Sequence, residues 1–400
     1  MAELPLNNII LQDIREDEDK LIEDNKLKVS IYAICKNELQ FVDKWIESMS
    51  EADYVVILDT GSTDGTYEKL LEYAKQNPRK YIVAQKKYNP WRFDTPRNDA
   101  MMLCPRDTDI YFSTDLDELL EPGWYNTLIS KWVKGVSQRG SYTYIWSHMA
   151  DGTPGRIFMY NKIHTKNWIW KCPVHEFLCD KDTKSEFYNV STEVQYGDSI
   201  ILHHYPDLNK SRSSYLPLLE LRAEEYDDDY YGLIYLAHEY NYTGNYGKSN
   251  ETLRKVLENF SPNSIEEASC YLFMGDNYRI MNKNYEAIIS YEKSIEIEPT
   301  YREPYLNLAK LLIEKGNHEQ AIGYIKQGLR NSYRHYTWLE RDRSWLDEPY
   351  DLLSLAYYYI GNKKEALVYA VKAYNMNKAD ERLKNNVEEI LAVMEDKDYL

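Results

Sequence analysis

Two clusters of polar residues in this chain carry side chains that could do chemistry. In Asp109-Ile110-Tyr111-Phe112-Ser113-Thr114-Asp115-Leu116-Asp117-Glu118-Leu119-Leu120 a mostly apolar run stops abruptly at carboxylates, with Asp115 and Asp117 two residues apart. At strand spacing two such side chains point the same way, and at a strand end both can converge on one cation. A hard divalent ion, Mg2+ or Mn2+, held by one or two carboxylates and a diphosphate suits this spacing; the plainer reading is an acidic turn capping a following helix. The second cluster, Asp59-Thr60-Gly61-Ser62-Thr63-Asp64-Gly65-Thr66, is rich in turn formers and can cap a helix starting at Tyr67. Turn chemistry leaves its two aspartates over, and at a ligand edge carboxylates suit a base imide or ribose hydroxyl better than a phosphate. Neither G-x-x-x-x-G-K-[ST] nor G-x-G-x-x-G is present, which disfavours P-loop kinases and dinucleotide oxidoreductases.

The elements around these clusters decide whether they can meet. Val29 to Cys35 is a buried-strand run followed by Asn37-Glu38 and a helical stretch from Phe41 to Met49; Tyr54 to Leu58 is a second strand, ending in the Asp59 turn. A helix over Tyr67 to Gln76 and a strand over Tyr81 to Ala84 follow, so strands alternate with helices and a parallel sheet is expected. Ligands bind at the carboxyl ends of such strands, which brings Asn37-Glu38, the Asp59 turn and the Asp115-Asp117 pair to one edge. Aromatic-rich strands over Ser141 to His148, Arg156 to Tyr160 and Trp168 to Phe177 follow, and a last strand ends at His203-His204. One of these two histidines, with preference for His203, could complete a metal shell, since imidazole tolerates manganese. Beyond about Tyr230 the chain is helical and repetitive. Ala287 and Ala321 occupy matching places 34 residues apart, the period of tetratricopeptide repeats, and about four copies are expected.

Composition bounds the class. The chain has 400 residues with 43% hydrophobic content, enough for more than one buried core. A formal charge of -17 disfavours nucleic acid and anionic membranes as partners. The five cysteines show no C-x-x-C pairing, and no apolar run reaches membrane-spanning length, so a cytoplasmic location is expected. The reading is an acidic N-terminal arm over 1–27, an α/β domain over 28–209, a connecting helix over 210–229 and an all-α repeat domain over 230–400. The arm has no assigned role.

Val29 to Glu38, the Asp59 to Thr66 turn, Arg97-Asn98 and Asp115-Leu116-Asp117 together resemble family 2 glycosyltransferases of the GT-A fold, over roughly residues 28 to 205. Members commonly begin the second motif with two adjacent aspartates, where this chain has Asp59-Thr60. The tandem arrangement with repeats is similar to bacterial peptide (glycocin) glycosyltransferases. The resemblance implies a mixed, mainly parallel sheet and a metal-dependent, inverting hexosyl transfer from a nucleotide sugar, UDP-linked by analogy. Glu38, Asp59 and Asp64 would line the nucleotide pocket, Arg97 would lie near the diphosphate, Asp115 would face ribose or metal, and Asp117 would be the direct metal ligand. Glu176, with His175 beside it, would take the acceptor proton, since similar His-Glu pairs occur in the family at about this distance. A protein or peptide is the expected acceptor or partner through the repeats, and a homo-oligomer is left open. A nucleotidyltransferase on a related domain and a non-catalytic repeat scaffold stand as the alternatives.

Overall fold

The structure, a computed structural model, describes residues 27–149, 152–181, 192–207 and 215–395. Apart from Leu27, the expected N-terminal arm lies outside the described residues. The chain divides into two compact units, Met1–Ser147 with Ile157–Arg212 and His148–Arg156 with Ser213–Leu400. Residues 148–156 therefore group with the second unit, although the sequence placed them within the 28–209 domain.

The first unit is built on an eight-stranded sheet in the order β3-β2-β1-β4-β7-β6-β10-β5. Its strands are β1 (Val29–Cys35), β2 (Tyr54–Asp59), β3 (Tyr81–Gln85), β4 (Ile110–Ser113), β5 (Glu118–Leu120), β6 (Arg139–Ile145), β7 (Ile157–His164) and β10 (Glu193–His204). β1 pairs in parallel with β2 and β4, β2 with β3, and β6 with β10, while the β4–β7, β6–β7 and β5–β10 pairs are antiparallel. A separate hairpin joins β8 (Trp168–Lys171) to β9 (Phe177–Asp180). The sheet is mixed and mainly parallel, followed by helical repeats, as the sequence patterns imply.

All seven residues of β1 are buried because both faces of the strand are covered. Val29, Ile31 and Ala33 enter a core with Trp45, Phe112 and Trp124, whereas Tyr32 and Ile34 enter another with Ala100, Trp168 and Trp170. A strand covered on both sides needs a continuous apolar run, and that run is what made β1 legible. Helices α1 (Val42–Ser48), α2 (Thr66–Gln76), α3 (Asp94–Met102) and α4 (Trp124–Lys131) complete this unit.

A hydrogen-bonded chain crosses the second of these cores. Trp170 Nε1 donates to the Tyr32 hydroxyl at 2.6 Å, which lies 2.7 Å from His164 Nε2, and His164 Nδ1 lies 2.7 Å from the Thr165 carbonyl. The carbonyl only accepts, so Nδ1 carries the proton and Nε2 accepts from the tyrosine. Burial pushes the fully buried His164 down to about 3. The unfolded histidine takes up a proton below about 6.5 while the folded one stays neutral, so this contribution is complete above about pH 6.5 and is lost as pH falls toward 3. Unfolding free energy of the wild type is expected to fall by about 1.4 kcal/mol per pH unit more steeply than that of His164→Gln across this window. Denaturant melts at pH 7, 6 and 5 check the difference, and identical slopes would show that His164 does not titrate on unfolding.

The second unit opens with α5 (Tyr215–Glu225), the helix expected as a connector, which packs on α6 (Tyr230–Tyr242). Four helical hairpins follow: α6 with α7 (Tyr246–Asn259), α8 (Ser264–Ile280) with α9 (Asn284–Ile297), α10 (Glu303–Glu314) with α11 (His318–Arg330), and α12 (Glu348–Tyr359) with α13 (Lys363–Met376). Helix α14 (Glu381–Glu395) packs on α13. Small residues let helices within a hairpin approach closely, as at Ser249, whose hydroxyl donates to the Ala237 carbonyl at 2.7 Å, and at Ser294, which does the same to Ala268. Gly275 is the tightest such contact: a Cβ there would lie 2.5 Å from the Tyr291 ring, which is fully buried and hydrogen-bonded to Asp276. Gly275→Ala is expected to destabilise the repeats by a net ~1–2 kcal/mol, because overpacking exceeds the gain in helix propensity. Gly323→Ala, on α11 in open space, is expected to stabilise them by up to ~1 kcal/mol in the same chemical melts.

Candidate active site

Parallel register aligns the ends of β1 and β2, with Cys35 opposite Asp59 and Asp59 opposite Gln85 of β3. The turns that follow are locked together. Asn37, at a positive φ of 56, accepts from Thr63 N through its side chain at 2.8 Å, and its own N–H donates to Ser62 Oγ. Glu38, mostly buried, donates its N–H to Thr66 Oγ1 at 2.8 Å. Asp64 accepts from Thr66 N and Oγ1 through one oxygen and from Leu39 N through the other. Although burial opposes it, these bonds hold the Asp64 carboxyl below its ordinary range. Asp59 is wholly buried and accepts from Gly61 N, Ser62 N and Gln85 Nε2 at 2.8–2.9 Å. This corrects the sequence reading: turn formation accounts for both aspartates, and the Asp59 carboxylate lies under the turn instead of open at the ligand edge.

The acidic triplet differs from expectation in geometry. β4 ends at Ser113, and Asp115 to Asp117 form a turn before the short β5, with Leu116 buried between them, so strand alternation does not send the two carboxylates the same way. Asp115 receives Arg97 Nη2 at 2.8 Å and Lys162 Nζ at 3.4 Å. Burial would raise its pKa, but these two cations hold it well below the usual carboxylate range. Lys162 also meets Glu118 at 3.1 Å, and Glu118 accepts from the Tyr144 hydroxyl at 2.9 Å and from Asp115 N. Burial pushes Glu118 up despite Lys162, while its charge and that of Asp115 hold the Lys162 ammonium well above its ordinary value against burial. Asp115 is thus paired with two cations.

Asp117 is the carboxylate left facing a histidine, and that histidine is His204, not the expected His203. His204 Nε2 lies 3.5 Å from Asp117 Oδ2, while His203 Nε2 turns to Glu121 at 2.9 Å. The register puts His204 on the face of Glu118 and His203 on that of Leu119 and Glu121, and Asp117 reaches His204 because it lies in the turn before β5, outside the strand alternation. His204 Nδ1 lies 3.0 Å from the Trp146 carbonyl and donates to it, so Nε2 donates to Asp117 in the protonated ring and offers a lone pair only in the neutral one. Burial lowers the His204 pKa, but the hydrogen bond and charge of Asp117 outweigh it, and the net shift is upward. No group of three metal-ligating side chains occurs among the described residues, so a cation here would have two protein ligands and would take the rest from a donor diphosphate and water. Asp117 and His204, each about 15% exposed, fit that role.

Glu176 and His175 lie in the turn of the β8–β9 hairpin, with Cys172 and His175 both at positive φ, not on the continuous strand expected over 168–177. Glu176 accepts a short hydrogen bond from Arg97 Nε, and the Arg97 guanidinium also lies 5.3 Å over the Trp170 ring and donates to Ser113 at 3.3 Å. Arg97 is 5% exposed and joins Asp115 to Glu176. Asn98 fixes the hairpin to α3 through paired bonds to the Trp170 backbone at 2.8 and 2.9 Å. Lys162 and Glu118 also carry this site, and sequence reasoning misses both. The available signal was a lysine on the same strand face as Tyr160 and His164.

Residues 30–178 match the model of glycosyl transferase family 2, and residues 268–301 and 303–333 match the tetratricopeptide repeat. The lipopolysaccharide core biosynthesis glycosyltransferase LpsC of Rhizobium meliloti (strain 1021) is 34% identical over 98 residues, 24% of this chain and 34% of that protein. The chain thus spans about a third of the length of the curated relative it matches. A thermophilic tetratricopeptide-repeat protein of Thermus thermophilus aligns at 19% identity over 45% of this chain and 90% of its own, with a TM-score of 0.35. MamA aligns at 18% identity over 44% and 99%, also at 0.35. Residues 30–178 are thus similar to family 2 glycosyltransferases, and residues 268–301 and 303–333 to tetratricopeptide repeats.

Removing the cation from the acidic turn tests its electrostatics. Lys162→Met leaves Glu118 and Asp115 buried beside each other and is expected to cost ~3–5 kcal/mol of unfolding free energy. Adding Glu118→Gln should recover much of that loss in a double-mutant cycle, and additivity of the two changes would mean that the groups do not interact.

Proposed function

We propose that the first unit is a metal-dependent, inverting hexosyltransferase that moves a sugar from a UDP-linked donor to a protein or peptide acceptor, which the repeats hold. The observation that carries this reading is the division of labour in the acidic turn. Asp115 is paired with Arg97 and Lys162, while Asp117 faces the Nε2 of His204. A divalent cation held by Asp117 and His204 would stabilise the negative charge that develops on the departing diphosphate. The locked turns at Asn37–Leu39 and Ser62–Thr66 form the edge on which Glu38 and Asp64 would meet the nucleoside. Glu176, fixed by Arg97, would take the proton of the acceptor as its nucleophile attacks the anomeric carbon from the face opposite the leaving group. A cytoplasmic location accords with the charge and cysteine content and with the lack, among the described residues, of a helix long and apolar enough to cross a membrane.

A panel of nucleotide sugars incubated with the full chain, read as nucleoside diphosphate release with and without Mn2+, tests the reaction without knowledge of the acceptor. Release is expected with a UDP-sugar and to require the cation. Asp117→Asn should reduce it by ~10²-fold or more, and Glu176→Gln should slow transfer to an acceptor by a similar factor. Pyrophosphate appearing in place of the nucleoside diphosphate would overturn the proposal in favour of nucleotidyl transfer.

A further inference from the structure

The segment between α11 and α12 lies across the first helices of successive hairpins. The Trp338 ring stacks on Tyr235 of α6 with centroids 4.6 Å apart, lies 5.4 Å from His238, and packs against the cluster containing Ile234, Ala237 and Met274. Leu339 is buried, and its carbonyl accepts from the Tyr301 hydroxyl at 3.1 Å. Arg341, three residues after Trp338, donates its N–H to Glu303 and its guanidinium to Asn307 of α10 at 2.8 Å, and it lies 3.8 Å from Glu348 of α12. Asn307 in turn donates to Asp276 of α8 at 2.7 Å. The first-helix face thus presents an aromatic slot and an acidic strip, and the chain's own aromatic-x-x-arginine sequence fills both.

This seat differs from the helix packing around it. Its only regular structure is a 3-10 turn over Asp342–Trp345, and Tyr336 takes a positive φ of 54 that a non-glycine residue adopts under constraint. On the face itself the buried atoms His238 Nε2 and Glu303 Oε2 find no hydrogen-bond partner among the described residues, and within the segment Glu340 Oε1 and Trp345 Nε1 find none. A seat with unmet polar groups can be exchanged for a ligand that satisfies them. Stacked repeats use such faces to bind polypeptide.

We propose that this face is a polypeptide-binding groove reading an aromatic-x-x-arginine pattern, held in cis by residues 336–345 until a polypeptide of that pattern displaces them. The proposal deepens the reading of the repeats above and is independent of the transfer chemistry, because its test reads peptide binding and amide exchange.

Hydrogen exchange on the full-length wild type is expected to show amides of 336–345 opening more readily than those of α8 and α10. A labelled synthetic peptide of residues 332–347 should bind full-length Trp338→Ala/Arg341→Ala at least ~10-fold more tightly than wild type, since the cis competitor is weakened. The same peptide carrying both substitutions should bind neither protein. Protection of 336–345 equal to that of α8 and α10 would make the segment permanent core and overturn the proposal. So would a folded double variant that binds the peptide no better than wild type. If the double variant does not fold, the exchange measurement on the wild type decides.

Discussion

Arg97 is the side chain on which the candidate active site depends. Its guanidinium is almost fully buried, and desolvating it is tolerable only because Asp115 and Glu176 surround it and Trp170 covers its face. That one requirement ties together three parts of the chain: α3, which carries Arg97, the acidic turn after β4, and the β8–β9 hairpin. A lysine could not replace it, since the planar fork is what reaches two carboxylates and a hydroxyl at once. Lys162 performs the complementary task on the other side of Asp115, where it also neutralises Glu118.

With both cations engaged there, the acidic turn acquires two kinds of carboxylate. Asp115 and Glu118 pair with the buried cations Arg97 and Lys162, whereas Asp117 meets a histidine. The same logic governs the neighbouring turns, where Asp59 and Asp64 each accept several N–H or O–H groups and so fix the backbone at the ends of β1 and β2. Rigid strand ends of this kind support a site more accurately than free loops do.

The backbone framework was largely legible from sequence, because β1 and β2 are continuous apolar runs and the repeats keep a fixed period with small residues at helix crossings. Side-chain assignments at the site were less so. Two adjacent histidines cannot be told apart by composition, and it is the turn at Asp117, where strand alternation does not hold, that brings its carboxylate to His204 while His203 meets Glu121. Likewise nothing local to Asp115 reveals that a lysine 47 residues later and an arginine 18 residues earlier converge on it. The β8–β9 hairpin looks like one strand in the sequence because its turn, Cys172 to Glu176, lacks glycine and uses positive φ at non-glycine residues.

In the proposed reaction Asp117 and His204 would be the protein ligands of the cation. Pulsed electron paramagnetic resonance of Mn2+ bound to the full chain with UDP tests it directly, since a coordinated imidazole gives nitrogen modulation of the manganese signal. The account predicts modulation from a single nitrogen that disappears in His204→Gln and persists in His203→Gln. Modulation that survives the loss of His204, or that depends on His203, would contradict it.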